Sequence, residues 1–133
     1  MPAFSPDGRW IAYVSDESGR AEVYARPFPG PGQKWQISSE GGSQVLWARN
    51  GELFYRSGNK MMAVEVKTQP AFSAGSPRLL FDGQYSWFVH RHNYDVTPDG
   101  QRFLMLKSAD PAATQINVVL NWFEDLKQRV PVR

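Results

Sequence analysis

The chain has 133 residues, of which 41% are hydrophobic and 14% aromatic, so it can build a packed core and is no disordered tail. Lys and Arg number 15 against 13 Asp and Glu, and a net charge of +2 leaves no electrostatic footprint for nucleic acid or an acidic lipid surface. Cysteine is absent, which removes disulfide scaffolds, thiolate metal sites and cysteine nucleophiles together.

From the N-terminus, Asp7, Gly8, Arg9 and Asp16 interrupt the first sixteen residues, so no apolar stretch of signal-peptide kind forms. The charge-free stretches Thr68 to Pro77 and Pro111 to Phe123 are short and rich in polar residues and Pro. Crossing a bilayer with a helix takes about 20 mostly apolar residues. The expectation is a soluble chain with no membrane partner, its compartment left open.

Phe4-Ser5-Pro6-Asp7-Gly8-Arg9-Trp10-Ile11-Ala12-Tyr13 is the first occurrence of a recurring phrase. It returns as Trp47-Ala48-Arg49-Asn50-Gly51-Glu52-Leu53-Phe54-Tyr55, and again as Val96-Thr97-Pro98-Asp99-Gly100-Gln101-Arg102-Phe103-Leu104-Met105. Pro presets φ, Asp or Asn tolerates the next position, and Gly accepts positive φ, so each phrase predicts a hairpin turn. The shared glycines Gly8, Gly51 and Gly100 stand 43 and 49 residues apart. That period is the length of one four-stranded propeller blade.

After each turn comes a continuous apolar run: Ile11-Ala12-Tyr13-Val14, Leu53-Phe54-Tyr55 and Phe103-Leu104-Met105-Leu106. A sheet with one wet face alternates apolar and polar residues, so continuous runs predict sheets covered on both faces. Third strands are predicted over Ala21 to Arg26, Met61 to Val66 and Gln115 to Leu120. More polar fourth strands are predicted over Lys34 to Ser38 and Arg78 to Phe81. Loops rich in Pro and Gly, Pro27 to Gly32 and Gln69 to Pro77, separate them. The fold expected is all-β: about two and two-thirds four-stranded antiparallel blades of a partial β-propeller in one unit, 1–133, with blade segments 1–42, 43–83 and 84–120.

A short C-terminal α-helix is predicted over 121–130. Asn121 caps it, Glu124 and Asp125 suit its first turn, Lys127 and Arg129 its end, and Pro131 stops it. Trp122, Phe123, Leu126 and Val130 form one apolar stripe for packing on the last blade.

The phrases Phe4-Ser5-Pro6-Asp7-Gly8-Arg9 and Val96-Thr97-Pro98-Asp99-Gly100-Gln101 resemble the repeat of TolB-type, WD-like β-propellers. The stretch from Tyr94 to Leu104, with Val118 to Lys127, resembles the C-terminal propeller segment attached to bacterial serine/threonine protein kinases. The resemblance implies a propeller fold. No kinase motif is present, so kinase activity does not follow, and Ala48-Arg49-Asn50 departs from the Ser-Pro-Asp pattern.

Closed propellers have about 4 to 8 blades, so this chain is an unfinished ring with exposed faces and edges. Self-association into a homodimer, or a trimer, would close it; a second solution is that missing blades lie in a larger gene product. Catalytic signatures fail in turn. Gly41-Gly42-Ser43-Gln44-Val45 lacks the last Gly of a nucleophile elbow, and Gly30-Pro31-Gly32 lacks a following Lys-Ser/Thr. His90 and His92 share a face of a predicted strand and could supply two metal ligands, with Asp95 or Asp99 completing a site, but no third ligand is identifiable; a metal site there is the outside alternative, and no cofactor is expected. Arg91, His92 and Asn93, with Gln44 at the matching position one blade earlier, are the candidate binding residues at a channel face. The expected function is a non-catalytic module for a peptide, protein or small ligand. The alternative is an accessory sensing or gating propeller piece of a larger kinase or peptidase.

Overall fold

The structure, a computed structural model, describes residues 1–87 and 91–107. The predicted strand at 115–120 and the helix at 121–130 lie outside the described residues, as does His90. Every described element is a β-strand, and all the pairings are antiparallel. No described helix is long and apolar enough to cross a membrane.

The first sheet is a meander of β1 (Ala3–Phe4), β2 (Trp10–Ser15), β3 (Glu22–Pro27) and β4 (Trp35–Gln36). The second runs through β5 (Ser43–Trp47), β6 (Glu52–Ser57) and β7 (Lys60–Lys67). Two short segments share the outer edge of β7: β8 (Ser73–Ala74) pairs with its end and β9 (Arg78–Asp82) with its start. The stretch 69–77 was expected to be loop throughout; β8 forms there because the eight-residue β7 outruns β9 and leaves Val66 and Lys67 to pair with Ala74 and Ser73. β10 (Tyr94–Val96) and β11 (Phe103–Met105) pair as a third sheet.

The sheets pack face to face in chain order. One core lies between the first and second, where Trp10, Ala12, Val14, Val23 and Ala25 meet Val45, Trp47, Leu53, Tyr55 and Val64. A second core lies between the second and third, where Phe54, Met61 and Ala63 meet Tyr94, Val96, Phe103 and Met105. The alternation of β6 therefore buries Leu53 and Tyr55 on one side and Phe54 on the other, as its continuous apolar run requires.

The three turns differ in one instructive way. In the first, the Ser5 amide bonds to the Trp10 carbonyl and the Trp10 amide donates to Ser5 Oγ at 2.9 Å. Asp7 Oδ1 accepts the Arg9 amide at 3.0 Å. The third repeats this, Thr97 Oγ1 taking the Arg102 amide at 3.1 Å and Asp99 Oδ1 the Gln101 amide at 3.0 Å. Ala48 has no hydroxyl to hold that extra residue, so its amide bonds to the carbonyl of Glu52, one position sooner. The pairs flanking the turns, Phe4 with Ile11, Trp47 with Leu53 and Val96 with Phe103, keep the same face despite the missing residue. Asn50 Nδ2 donates to the Asp99 carbonyl, tying the second turn to the third. Gly100, at φ 72°, is what permits the approach, for a Cβ there would stand 2.5 Å from Asn50 Nδ2.

Candidate functional site

Three of the four candidate residues come together where β5 begins and the chain approaches β10. β5 opens with a bulge between Ser43 and Leu46, and Gln44 within it adopts φ 49°. The bulge turns two carbonyls toward the third sheet. His92 Nε2 lies 2.8 Å from the Val45 carbonyl, which can only accept, so Nε2 carries the proton. Tyr94 Oη lies 2.6 Å from the Gln44 carbonyl and 3.2 Å from that of Phe54. With one proton to give, the hydroxyl donates to the nearer. Burial pushes the Tyr94 phenol far above its ordinary range, so it stays a neutral donor.

Asn93 is buried, and its Nδ2 donates to the Ser86 carbonyl at 3.0 Å while its own carbonyl accepts the Leu106 amide. The same Ser86 carbonyl receives Arg56 Nη1 at 2.7 Å. Arg56 is 1% exposed, forms no ion pair with a described carboxylate, and carries the Trp87 ring 5.0 Å from its guanidinium carbon. Burial lowers its pKa below the ordinary arginine value, and the neighbouring Tyr94 offsets part of that shift. Arg56 and Trp87 were not singled out in the sequence. The available signal was an Arg closing an apolar run whose neighbours are covered on both faces.

Arg91 stands apart from this network, exposed on the loop that leads to β10. His92, expected on a strand, lies in the loop before β10; pairing with β11 starts only at Tyr94. Its ring meets Tyr94 edge-on at 6.2 Å. Among the described residues no three His, Asp or Glu side chains converge on a point that could hold a metal. The arrangement is thus a base of side chains bonded to main-chain carbonyls, with Trp87 half-exposed against Arg56 and Arg91 exposed next to His92 in the chain. No protein-family model matches this chain, and no curated protein matches it.

Proposed function

We propose that the chain is a non-catalytic interaction module of propeller-like blades that self-associates and presents its Arg91–His92 end to a peptide, protein or small ligand. The blade reading is supported by the repeated turn, by the conserved facing of the strands that flank it, and by the stacking of the sheets in chain order. The binding reading is carried by one observation. Asn93, His92 and Arg56 all donate to main-chain carbonyls, while Arg91 and Trp87 are exposed to solvent. Arg and Trp on a preorganised base are the side chains that most often anchor protein interfaces.

Peptides selected from a random library against the intact chain test this. Arg91→Ala and His92→Ala should leave the circular dichroism unchanged and weaken the selected peptides at least tenfold. Arg49→Ala, exposed beyond the far end of β5, should leave their affinity alone. Selected peptides that bind all three variants equally would refute the assignment.

A further inference from the structure

A second polar hollow lies on the other face of β6. Tyr55 points toward the first sheet, whereas Phe54 points toward the third and the Arg91–His92 end. Tyr55 pairs with Met62 across β6 and β7, and Met62 with Leu79 across β7 and β9, so these side chains form one row on that face. Ser57 and Lys60, paired two residues further along each strand, extend it. The connection from β4 to β5 brings Ser39 and Glu40 to the same place. Together these residues line a hollow of about 280 Å³.

Its main chain is pinned while its polar side chains are left unused. Ser57 Oγ donates to the Glu40 carbonyl at 3.1 Å, the Gly41 amide to Glu22 Oε1 at 3.0 Å, and Arg20 Nη2 to the Ser39 carbonyl. Among the described residues, the side chains of Ser39, Glu40, Tyr55 and Lys60 make no hydrogen bond, and Glu40 and Lys60 form no ion pair with each other. Lys60 makes none with Asp82, its neighbour across β9, either. Tyr55 is 3% exposed, and every fully buried side-chain nitrogen or oxygen among the described residues has a partner. The part of Tyr55 left open to the hollow is therefore its unpartnered hydroxyl. Burial, with the carboxylates of Glu22 and Glu40 adding to it, pushes that phenol up to about 12, so at neutral pH it keeps a proton to donate.

We propose that this hollow binds a free α-amino acid with an aliphatic side chain, a site separate from the Arg91–His92 end and resting on other residues. The volume lies at the small end of ligand pockets, which run from about 300 to 1,000 Å³, and so suits a small metabolite. The charges choose its kind. A simple anion would meet Glu40 and a simple cation would meet Lys60, whereas a zwitterion satisfies both. Glu40 accepts from the ammonium, Lys60 donates to the carboxylate, and Tyr55 Oη gives that carboxylate a second hydrogen bond. Met62 and the 53% exposed Leu79 form an apolar wall for the side chain, whose burial there removes Leu79 from water as well. Because the Ser39–Gly41 main chain is already bonded in place, binding has little backbone left to order.

Calorimetric titration of the intact chain with L-leucine tests this. Saturable binding of one leucine per chain is expected. N-acetyl-L-leucine, which lacks the ammonium, and L-leucinamide, which lacks the carboxylate, should each bind at least tenfold more weakly. Tyr55→Phe keeps the ring in the core and removes the hydroxyl, and it should weaken leucine at least threefold. Lys60→Gln, at an exposed position, should do the same and stands in should circular dichroism show Tyr55→Phe misfolded. Arg91→Ala should leave leucine binding unchanged. No saturable leucine binding, capped forms that bind as well as leucine, or folded variants that bind as well as wild type would each overturn the inference. So would loss of leucine binding in Arg91→Ala, which would put the ligand at the other end, or binding of leucyl peptides in preference to leucine itself.

Discussion

The middle sheet and the third sheet carry the same kind of apolar run to different ends. In β6, Leu53, Phe54, Tyr55 and Arg56 are all buried, because a sheet lies against each face. In β11 the equivalent run splits: Phe103 and Met105 turn inward, and Leu104 is left 69% exposed. An uninterrupted apolar strand is suited to two covered faces, and in β11 the described residues cover one of them. Burial stabilises such a strand by about 25 cal/mol per Å² of apolar surface covered.

The largest way to sharpen this contrast is Phe54→Ala. Phe54 is fully buried, its ring edge-on to Phe103 at 5.0 Å, and the truncation should cost about 3–5 kcal/mol in urea unfolding. Leu104→Ala at the equivalent position of the third sheet should change the unfolding of the single chain by less than about 0.5 kcal/mol. Equal losses at the two sites would break the comparison. Next comes Arg56→Met, which keeps the stem of the side chain but leaves the Ser86 and Tyr85 carbonyls without their guanidinium donors. A loss of about 1–3 kcal/mol is expected, read by the same unfolding curves.

Acid provides a third probe, aimed at the first sheet. Burial of Glu22 by itself would raise its pKa, but hydrogen bonds from Ser38 Oγ, the Gly41 amide and Arg20 outweigh it and hold the carboxyl below its ordinary 4.5. A depressed folded pKa means that the stabilisation is full above the unfolded value and is lost as pH falls through the folded one. Thermal melts of wild type should therefore decline below pH 4.5, and Glu22→Gln should flatten that decline; an unchanged acid limb would contradict the assignment. The smallest effects lie in the turns. Ser5→Ala removes the acceptor for the Trp10 amide and should cost about 0.5–1.5 kcal/mol. Ala48→Ser should move stability by under about 0.5 kcal/mol, since its turn is one residue shorter and offers the hydroxyl no matching amide.

The turns and runs were legible because they are local chemistry. Pro6-Asp7-Gly8 and Pro98-Asp99-Gly100 each fix a hairpin within a few residues, and the unbroken β6 run announced its two neighbours. The shorter middle turn was not legible, because Gly51 keeps its place while the residue is lost after it. The site was half legible. The polar loop before β10 drew attention to Arg91, His92 and Asn93, and homologous position drew in Gln44. What hid Arg56 and Trp87 is that their contact joins the end of β6 to the loop before β10, and no local pattern encodes a pairing across that distance. The β5 bulge, which aims the Gln44 and Val45 carbonyls at Tyr94 and His92, depends on the same tertiary contacts.

The proposed module rests on association between copies of the chain. Absolute mass by light scattering, followed across a dilution series of the wild-type chain, tests that most directly. A mass at two or three times 15.1 kDa that falls toward one on dilution is the predicted result. A folded single chain at every concentration would contradict it.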